Sequence, residues 1–296
     1  PTETVYGLAA DALNPTAVAQ VFAIKGRPLL DPLIVHVPDL AGLAQVAEPD
    51  ARLAKLAALW PGPLTVVLRR KAGVPDLVTA GKDTVAVRLP AHPVFREVLR
   101  LAGRPLAAPS ANPFGYVSPT RAAHVVDSLG ARCPWVVDGG PCEHGVESTI
   151  LDLSVPGRAR LLRPGPIPVE TLRGLLGEVE VVTRAASQHA PQDAPGMLER
   201  HYSPATKVAL FPVGSLPVIA NLRSAVVFLG RRASPPANAD VFLLSEAGVV
   251  AEAAHHLFDL LRRLDGQGYE TIHVELADPA GVGAAYNDRL TRAAAR

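Results

Sequence analysis

A two-domain α/β fold with a mixed sheet is what this sequence predicts, on three observations. Short β-branched runs alternate with helical stretches through residues 1–183. A polar, proline-bearing, aperiodic stretch, "TRAASQHAPQDAPGMLERHYSPAT", then breaks the pattern. From 207 a second, compact alternation of strand and helix begins, as in a small doubly wound, Rossmann-like unit. The expected division is a catalytic-sized domain at 1–183, a linker or lid at 184–206 and a smaller α/β domain at 207–296. With 296 residues and 48% hydrophobic content, the chain can build two cores.

The elements follow in order. Asn14-Pro15 reads as a cap followed by the first helical position, with Val18, Val21 and Phe22 on one face and Gly26 as the stop. A strand is expected at 33–37, then helical stretches at 39–46 and 50–59. "PLTVVLRR" (63–70) and "TVAVRLP" (84–90) are β-branched strands. A helix at 93–102 leads to a short buried strand in "PLAAPSAN", and Ser118-Pro119 starts another helix. "WVVDGG", "ESTILDL" and "ARLLRPG" read as further strands. The second unit reads as strands at 207–211, 224–229, 240–244 and 270–276, with helices at 246–265 and 283–294.

The formal charge is +1, from 29 basic and 28 acidic side chains. That balance extends to each expected unit, so neither is a strongly basic nucleic-acid grip. The two cysteines, Cys133 and Cys142, are too few for a disulfide framework or a cysteine zinc site, which fits a reduced, cytoplasmic setting. No apolar stretch approaches the roughly 20 residues of a membrane span.

Several side chains stand where chemistry is plausible. Lys25 and Arg27 sit where the first helix stops, a place where cations favour the helix dipole. Pro28 stiffens the exit, and a held guanidinium suits bidentate recognition of phosphate or carboxylate. Asp31 reads as a turn residue or as the group that orients that fork. His36, in an otherwise apolar strand, reads first as a core histidine. Thr2, Thr4 and Tyr6 alternate and share a face if the segment is extended. Thr84 and Arg88 likewise share a face of one strand. An arginine there requires an anion, either a structural carboxylate or a ligand's.

The loop "APSANPFGYVSPT" carries Ser110, Asn112 and Thr120 among small residues and prolines, the composition of a ligand loop or of a plain turn. Ser148 and Thr149 open a strand, and Arg163 closes one before a proline. Three arginines at element ends beside hydroxyl-bearing loops suggest a site for a polyanion. The sequence lacks a P-loop, and "GVGAAY" lacks the third glycine of a dinucleotide fingerprint. The nine histidines show no zinc spacing, and no nucleophilic triad stands out.

Seven motifs in register, "PTETVYGL", "KGRPLLDPLIVH", "TVAVRLP", "PSAN", "ESTILDL", "LLRPG" and "PGMLERHYSP", resemble those of the YrdC-like threonylcarbamoyl-AMP synthases. "LRRLDGQGYETIHVE" and "GVGAAYNDRLTRAA" are similar to the C-terminal domain of the long, two-domain form. The resemblance implies an enzyme that combines L-threonine, bicarbonate and ATP, with Mg²⁺, into threonylcarbamoyl-adenylate and pyrophosphate. That product feeds a tRNA modification completed by separate transfer proteins, and any tRNA contact of this chain would be weak.

By motif, the resemblance assigns Thr4, His36, Arg88, Ser148 and Thr149 to threonine. It assigns Lys25, Arg27, Asp31, Thr84, Ser110, Asn112, Thr120, Arg163 and Tyr202 to ATP, with Lys25 and Arg27 as the catalytic cations. It assigns no metal ligand among the side chains. The linker's "PGMLERHY" implies a lid with Gly196 as hinge and Tyr202 as plug. Asp31 departs from the family's usual asparagine and needs Lys25 or Mg²⁺ to offset its charge. The family also has a helix and strand ahead of "PTET", so an N-terminal segment is expected to be missing.

Two other classes compete: a carbamoyl-adenylate-forming enzyme of the same fold, and a non-catalytic module binding double-stranded RNA. The first carries zinc-finger-like modules for which two cysteines do not suffice. The even charge balance opposes the second.

Overall fold

The computed structural model describes residues 1–133, 135–182, 190–219 and 223–295, so the first part of the expected linker, 184–189, lies outside the described residues. Eight described strands form the first sheet: β1 (Ala10–Asp11), β2 (Ile34–His36), β3 (Leu64–Arg69), β4 (Thr84–Arg88), β5 (Leu106–Ala107), β6 (Thr149–Asp152), β7 (Arg160–Arg163) and β8 (Glu180–Val181). Their order is β1-β5-β2-β4-β3-β6-β7-β8. The pairs β2/β4, β3/β6 and β7/β8 are parallel and the rest antiparallel, so the sheet is mixed as expected.

Helix α1 (Pro15–Lys25) forms as its sequence dictates. Asn14 accepts from the amides of Thr16 and Ala17, and Gly26 turns left-handed at φ 62° to end it. Helices α2 (Leu40–Val46), α3 (Asp76–Thr79), α4 (Pro93–Ala102), α5 (Ala122–Leu129) and α6 (Val169–Leu176) follow, with a 3-10 stretch at Ala51–Leu59.

Period-two alternation divides the strands between two faces. Val35, Val85, Val87, Leu64, Val66 and Leu151 enter the main core with Val18 and Phe22 of α1, Leu43 of α2 and Leu172 of α6. Ile34, Val67, Ala86 and Ile150 face the other way and pack on Ala194 and Met197 of the linker. Helices therefore cover one face, and the chain's later segments cover the other. That second face carries the site.

The second unit is a parallel sheet of β9 (Lys207–Phe211), β10 (Ser224–Phe228), β11 (Asp240–Leu243) and β12 (Thr271–Glu275), ordered β11-β10-β12-β9. Its helices are α7 (Val250–Asp265) and α8 (Gly283–Ala294). Ala225 and Val227 of β10 meet α7 and α8 in one core, whereas Val226 and Phe228 meet Phe211 and loop residues in another. The parallel sheet is the one expected. Both described helices share one of its faces. No described helix is long and apolar enough to cross a membrane.

Three local expectations need correction. "WVVDGG" joins no described ladder; its Asp138 and Gly140 instead accept the Tyr6 hydroxyl. Ser118 does not cap a helix: α5 begins at Ala122, and the buried Ser118 hydroxyl donates to Glu147. The segment of Thr2, Thr4 and Tyr6 is a turn, closed by Thr2 Oγ1 accepting from the amides of Thr4 and Val5. Thr2 and Thr4 still come together, their hydroxyls 2.8 Å apart, while Tyr6 points elsewhere.

Candidate active site

One row of residues across five strands builds the floor. His36 pairs with Arg88, Arg88 with Thr65, Thr65 with Ile150, and Ile150 with Arg163. Opposed residues share a face, so all five belong to the second face of the sheet. Arg163 joins them because the β6/β7 register shifts beside Ile150; without that irregularity it would follow Leu161 into the helical core.

His36, Arg88 and Arg163 of this row floor a pocket walled by Thr2 and Thr4 of the N-terminal turn, Arg27, Ser110, Glu147 and Ser148. Gly196, His201 and Tyr202 of the linker complete it. Its cavity volume is small, about 50 Å³.

Arg88 is buried and held by three groups. Its Nη2 meets Glu3 at 2.7 Å, its Nη1 donates to Thr4 Oγ1 at 2.8 Å, and its Nε donates to the Gly62 carbonyl at 3.3 Å. Burial opposes ionisation of Glu3, but the Arg88 charge outweighs it and holds the carboxyl at about 2. His36 packs edge-on to Phe95, with ring centroids 5.2 Å apart. Burial, aided by the Arg88 charge, pushes its imidazole down to about 3, so it is neutral; its Nδ1 has no hydrogen-bond partner among the described residues.

Lys25 donates to the carbonyls of Ser110 and Asn112, tying the end of α1 to the "PSAN" loop. Burial, and then neighbouring Arg27, lower its ammonium well below the usual lysine range. Arg27 donates to the carbonyls of Asp31 and Pro32 and pairs with the Asp31 carboxylate at 2.9 Å. Asp31 therefore orients the fork. Arg27, rather than Lys25, offsets its charge most closely, although burial still leaves the carboxyl raised.

Arg163 donates to Ser148 Oγ, the Ser148 carbonyl and the Pro195 carbonyl, each at 3.1 Å. Ser148 Oγ also meets Thr65 Oγ1 at 2.7 Å. Tyr202 adopts φ 61°, stacks on Phe258 of α7 at 5.6 Å and lies 4.1 Å from the His201 ring. Its hydroxyl and His201 Nδ1 are buried without hydrogen-bond partners among the described residues, as groups facing a ligand would be.

Three of the sequence-assigned residues are not in this assembly. Thr149 follows Ser148 and must face the opposite side; its hydroxyl is spent on the amide and carbonyl of Ile167. Thr84 shares Arg88's face but stands four residues along β4, about 13 Å away. It lines a separate depression with Lys82, Asp152 and Arg160. Thr120 lies at the approach to α5, where its amide donates to His124. Asn112 is close but does not line the pocket: its carbonyl holds Lys25, its side-chain nitrogen donates to the carbonyls of Pro113 and Tyr116, and its Oδ1 is buried without a hydrogen-bond partner among the described residues.

Sequence reasoning passed over Glu3, Thr65, Glu147 and His201. A signal existed for Glu3, because Arg88 demanded an anion and Glu3 stands between two of the threonines singled out.

Residues 1–165 match the family described as "Telomere recombination", and residues 167–295 match "Threonylcarbamoyl-AMP synthase, C-terminal domain". The chain is 39% identical over 304 residues to a threonylcarbamoyl-AMP synthase of Pyrococcus abyssi, covering 99% of this chain and 88% of that one. A Bacillus subtilis threonylcarbamoyl-AMP synthase is 38% identical over 310 residues, with the same coverage of 99% and 88%. The crystal structure of P. abyssi Sua5 complexed with L-threonine aligns at TM-score 0.89 and 38% identity, covering 99% of this chain and 89% of that one. Fold and likeness together define a two-domain α/β enzyme, with Arg27, Arg88 and Arg163 lining one pocket that residues 195–202 border. The chain belongs to the threonylcarbamoyl-AMP synthase family, in its two-domain form.

Proposed function

We propose that this enzyme forms threonylcarbamoyl-adenylate and pyrophosphate from L-threonine, bicarbonate and ATP. The observation that carries the reading is the sheet row that sets neutral His36 beside Arg88 at one end of the pocket and Arg163 at the other, with Arg27 and the linker closing over them.

In this reading the threonine carboxylate meets Arg88, which Glu3 and Thr4 hold in place, and His36 and Ser148 orient the amino acid. The amine nitrogen bonds to the bicarbonate carbon while the C–OH bond breaks, the hydroxyl leaving as water with a proton from the amine, to give a carbamate. The carbamate attacks the α-phosphorus, and the bond to pyrophosphate breaks. Lys25, Arg27 and Arg163 face the charge that builds on the phosphates, so positioning and fixed cations supply most of the effect. Mg²⁺ accompanies ATP. The carboxylate on that side, Asp31, already pairs with Arg27, so the phosphates supply most of the oxygen ligands such an ion prefers.

The pocket's cavity volume, about 50 Å³, is far below the roughly 300–1,000 Å³ of a small-molecule site. ATP therefore enters when the segment carrying Gly196, His201 and Tyr202 lifts, and its return excludes the water that would hydrolyse a carbamate. The product then passes to separate proteins that transfer it to tRNA.

The test is pyrophosphate release from ATP and bicarbonate, with and without L-threonine, for the wild type and Arg88→Ala. Release that requires threonine and collapses in the variant supports the reading. Absence of both turnover and calorimetric binding of threonine or ATP sinks it.

A further inference from the structure

The C-terminal unit sends one side chain into the wall of the pocket. Arg289, on α8, is wholly buried although it is charged. Its Nε donates to Glu147 Oε2 at 2.7 Å, and its Nη2 donates to the Pro164 carbonyl at 3.0 Å. Its Nη1 donates to Asp288 at 2.6 Å, and its guanidinium carbon lies 5.2 Å from the centre of the Tyr202 ring. Glu147 and Tyr202 both line the pocket, one from the first unit and one from the linker. They lie 55 positions apart in sequence, and Arg289 holds both.

The neighbouring turns of α8 extend the grip. Asp288 also accepts from Arg292 at 3.0 Å, Arg292 donates to the Leu198 carbonyl, and the Arg292 carbonyl accepts the His201 amide at 3.3 Å. α8 thus helps to seat His201 and Tyr202, together with Phe258 of α7 and Phe114 of the first unit.

A charge with no solvent needs this many partners merely to be tolerated. A fork that joins a carboxylate, a carbonyl and an aromatic face from different segments also fixes their relative positions, which a lysine ammonium cannot reproduce. We infer that Arg289 is a positioning residue of the active site: it sets Glu147, and through the same fork Tyr202, so that the pocket is complete only when the C-terminal domain is docked. The inference rests on the reading of the pocket given above, and it names a role for the second domain.

The experiment compares the full-length wild type with Arg289→Lys, Arg289→Met and Arg289→Met/Glu147→Gln, the last removing the carboxylate that the single change would orphan. Two readouts are taken well below the unfolding temperature: hydrogen exchange by amide, and kcat and KM for pyrophosphate release. The expected result is faster exchange at 147–149 and 201–203 with Val226–Phe228 of β10 unchanged. Alongside it, kcat/KM for ATP should fall about 10²-fold, with Arg289→Lys recovering only part. Uniformly faster exchange, with activity tracking the folded fraction, would make Arg289 a stability residue only and overturn the inference. Wild-type kcat/KM in Arg289→Met would do the same. If the wild type shows no threonine-dependent release, the reaction assignment fails; the exchange pattern then still decides whether Arg289 sets these two walls.

Discussion

Arg88 and Glu3 meet at 2.7 Å, joining the end of a central strand to the chain's N-terminal turn, with both side chains almost wholly buried. The pair answers what an arginine in an apolar strand requires, and it leaves the Arg88 fork held rather than free. Removing one partner from such a pair leaves a buried charge uncompensated. Glu3→Gln should therefore destabilise the fold by about 3–5 kcal/mol, and Glu3→Gln/Arg88→Met should cost less than the sum of the single changes. Denaturant unfolding of the four proteins gives the coupling directly; additive losses would show that the pair does not act as a unit.

Acid should weaken the protein in a defined window. His36 titrates at about 3 in the fold against 6.5 ordinarily, and Glu3 at about 2 against 4.5. Between each folded value and its ordinary one the unfolded chain binds protons that the folded chain refuses. Stability is then complete above pH 6.5 and falls as pH drops, first through His36 and below pH 4.5 also through Glu3. Denaturant midpoints at pH 7, 5.5 and 4 test this, and His36→Asn should flatten the upper part of the decline. A constant midpoint across that range would contradict both shifts.

Ser148 and Thr149 should separate cleanly by function. Thr149→Val removes the hydroxyl that serves both polar groups of Ile167 and should cost about 1–3 kcal/mol, with turnover per folded molecule unchanged. Ser148→Ala removes the hydroxyl that Arg163 and Thr65 both meet and should lower threonine-dependent turnover about tenfold or more. Equal kinetic losses in the two variants would put both hydroxyls in the site.

Gly196 allows a close approach that no other residue permits. Its φ is +75°, and a Cβ there would stand 2.6 Å from the Tyr202 hydroxyl and 2.9 Å from Arg163 Nη1. Gly196→Ala should strain the segment and displace Tyr202, raising KM for ATP more than KM for threonine. Matched changes in both constants would argue against a role on the nucleotide side.

Much of the fold was legible because its signals are local. Asn14-Pro15 and Gly26 bound α1 as read, and the β-branched runs became β3 and β4. "WVVDGG" misled because β propensity does not supply a partner strand. Ser118-Pro119 misled because the serine's hydroxyl found a buried carboxylate 29 residues away rather than a helix amide. Of the residues that motif order singled out, Thr4, Arg27, His36, Arg88, Ser148, Arg163 and Tyr202 line one pocket. Thr149 and Thr84 stand apart from it, since a motif ignores both the alternation of faces and the length of a strand.

The sequence alone determined the two-unit α/β plan, the family and the cationic character of the site, because periodicity, caps and ordered motifs act over a few residues. Only the tertiary structure decided that Arg88 answers to Glu3, that Asp31 locks Arg27 and that a register shift turns Arg163 into the pocket. It alone brought Arg289 to Glu147 and Tyr202. Those are contacts between segments distant in the chain, and their partners are chosen by burial: a charge removed from water must find its counterpart wherever packing brings one within reach.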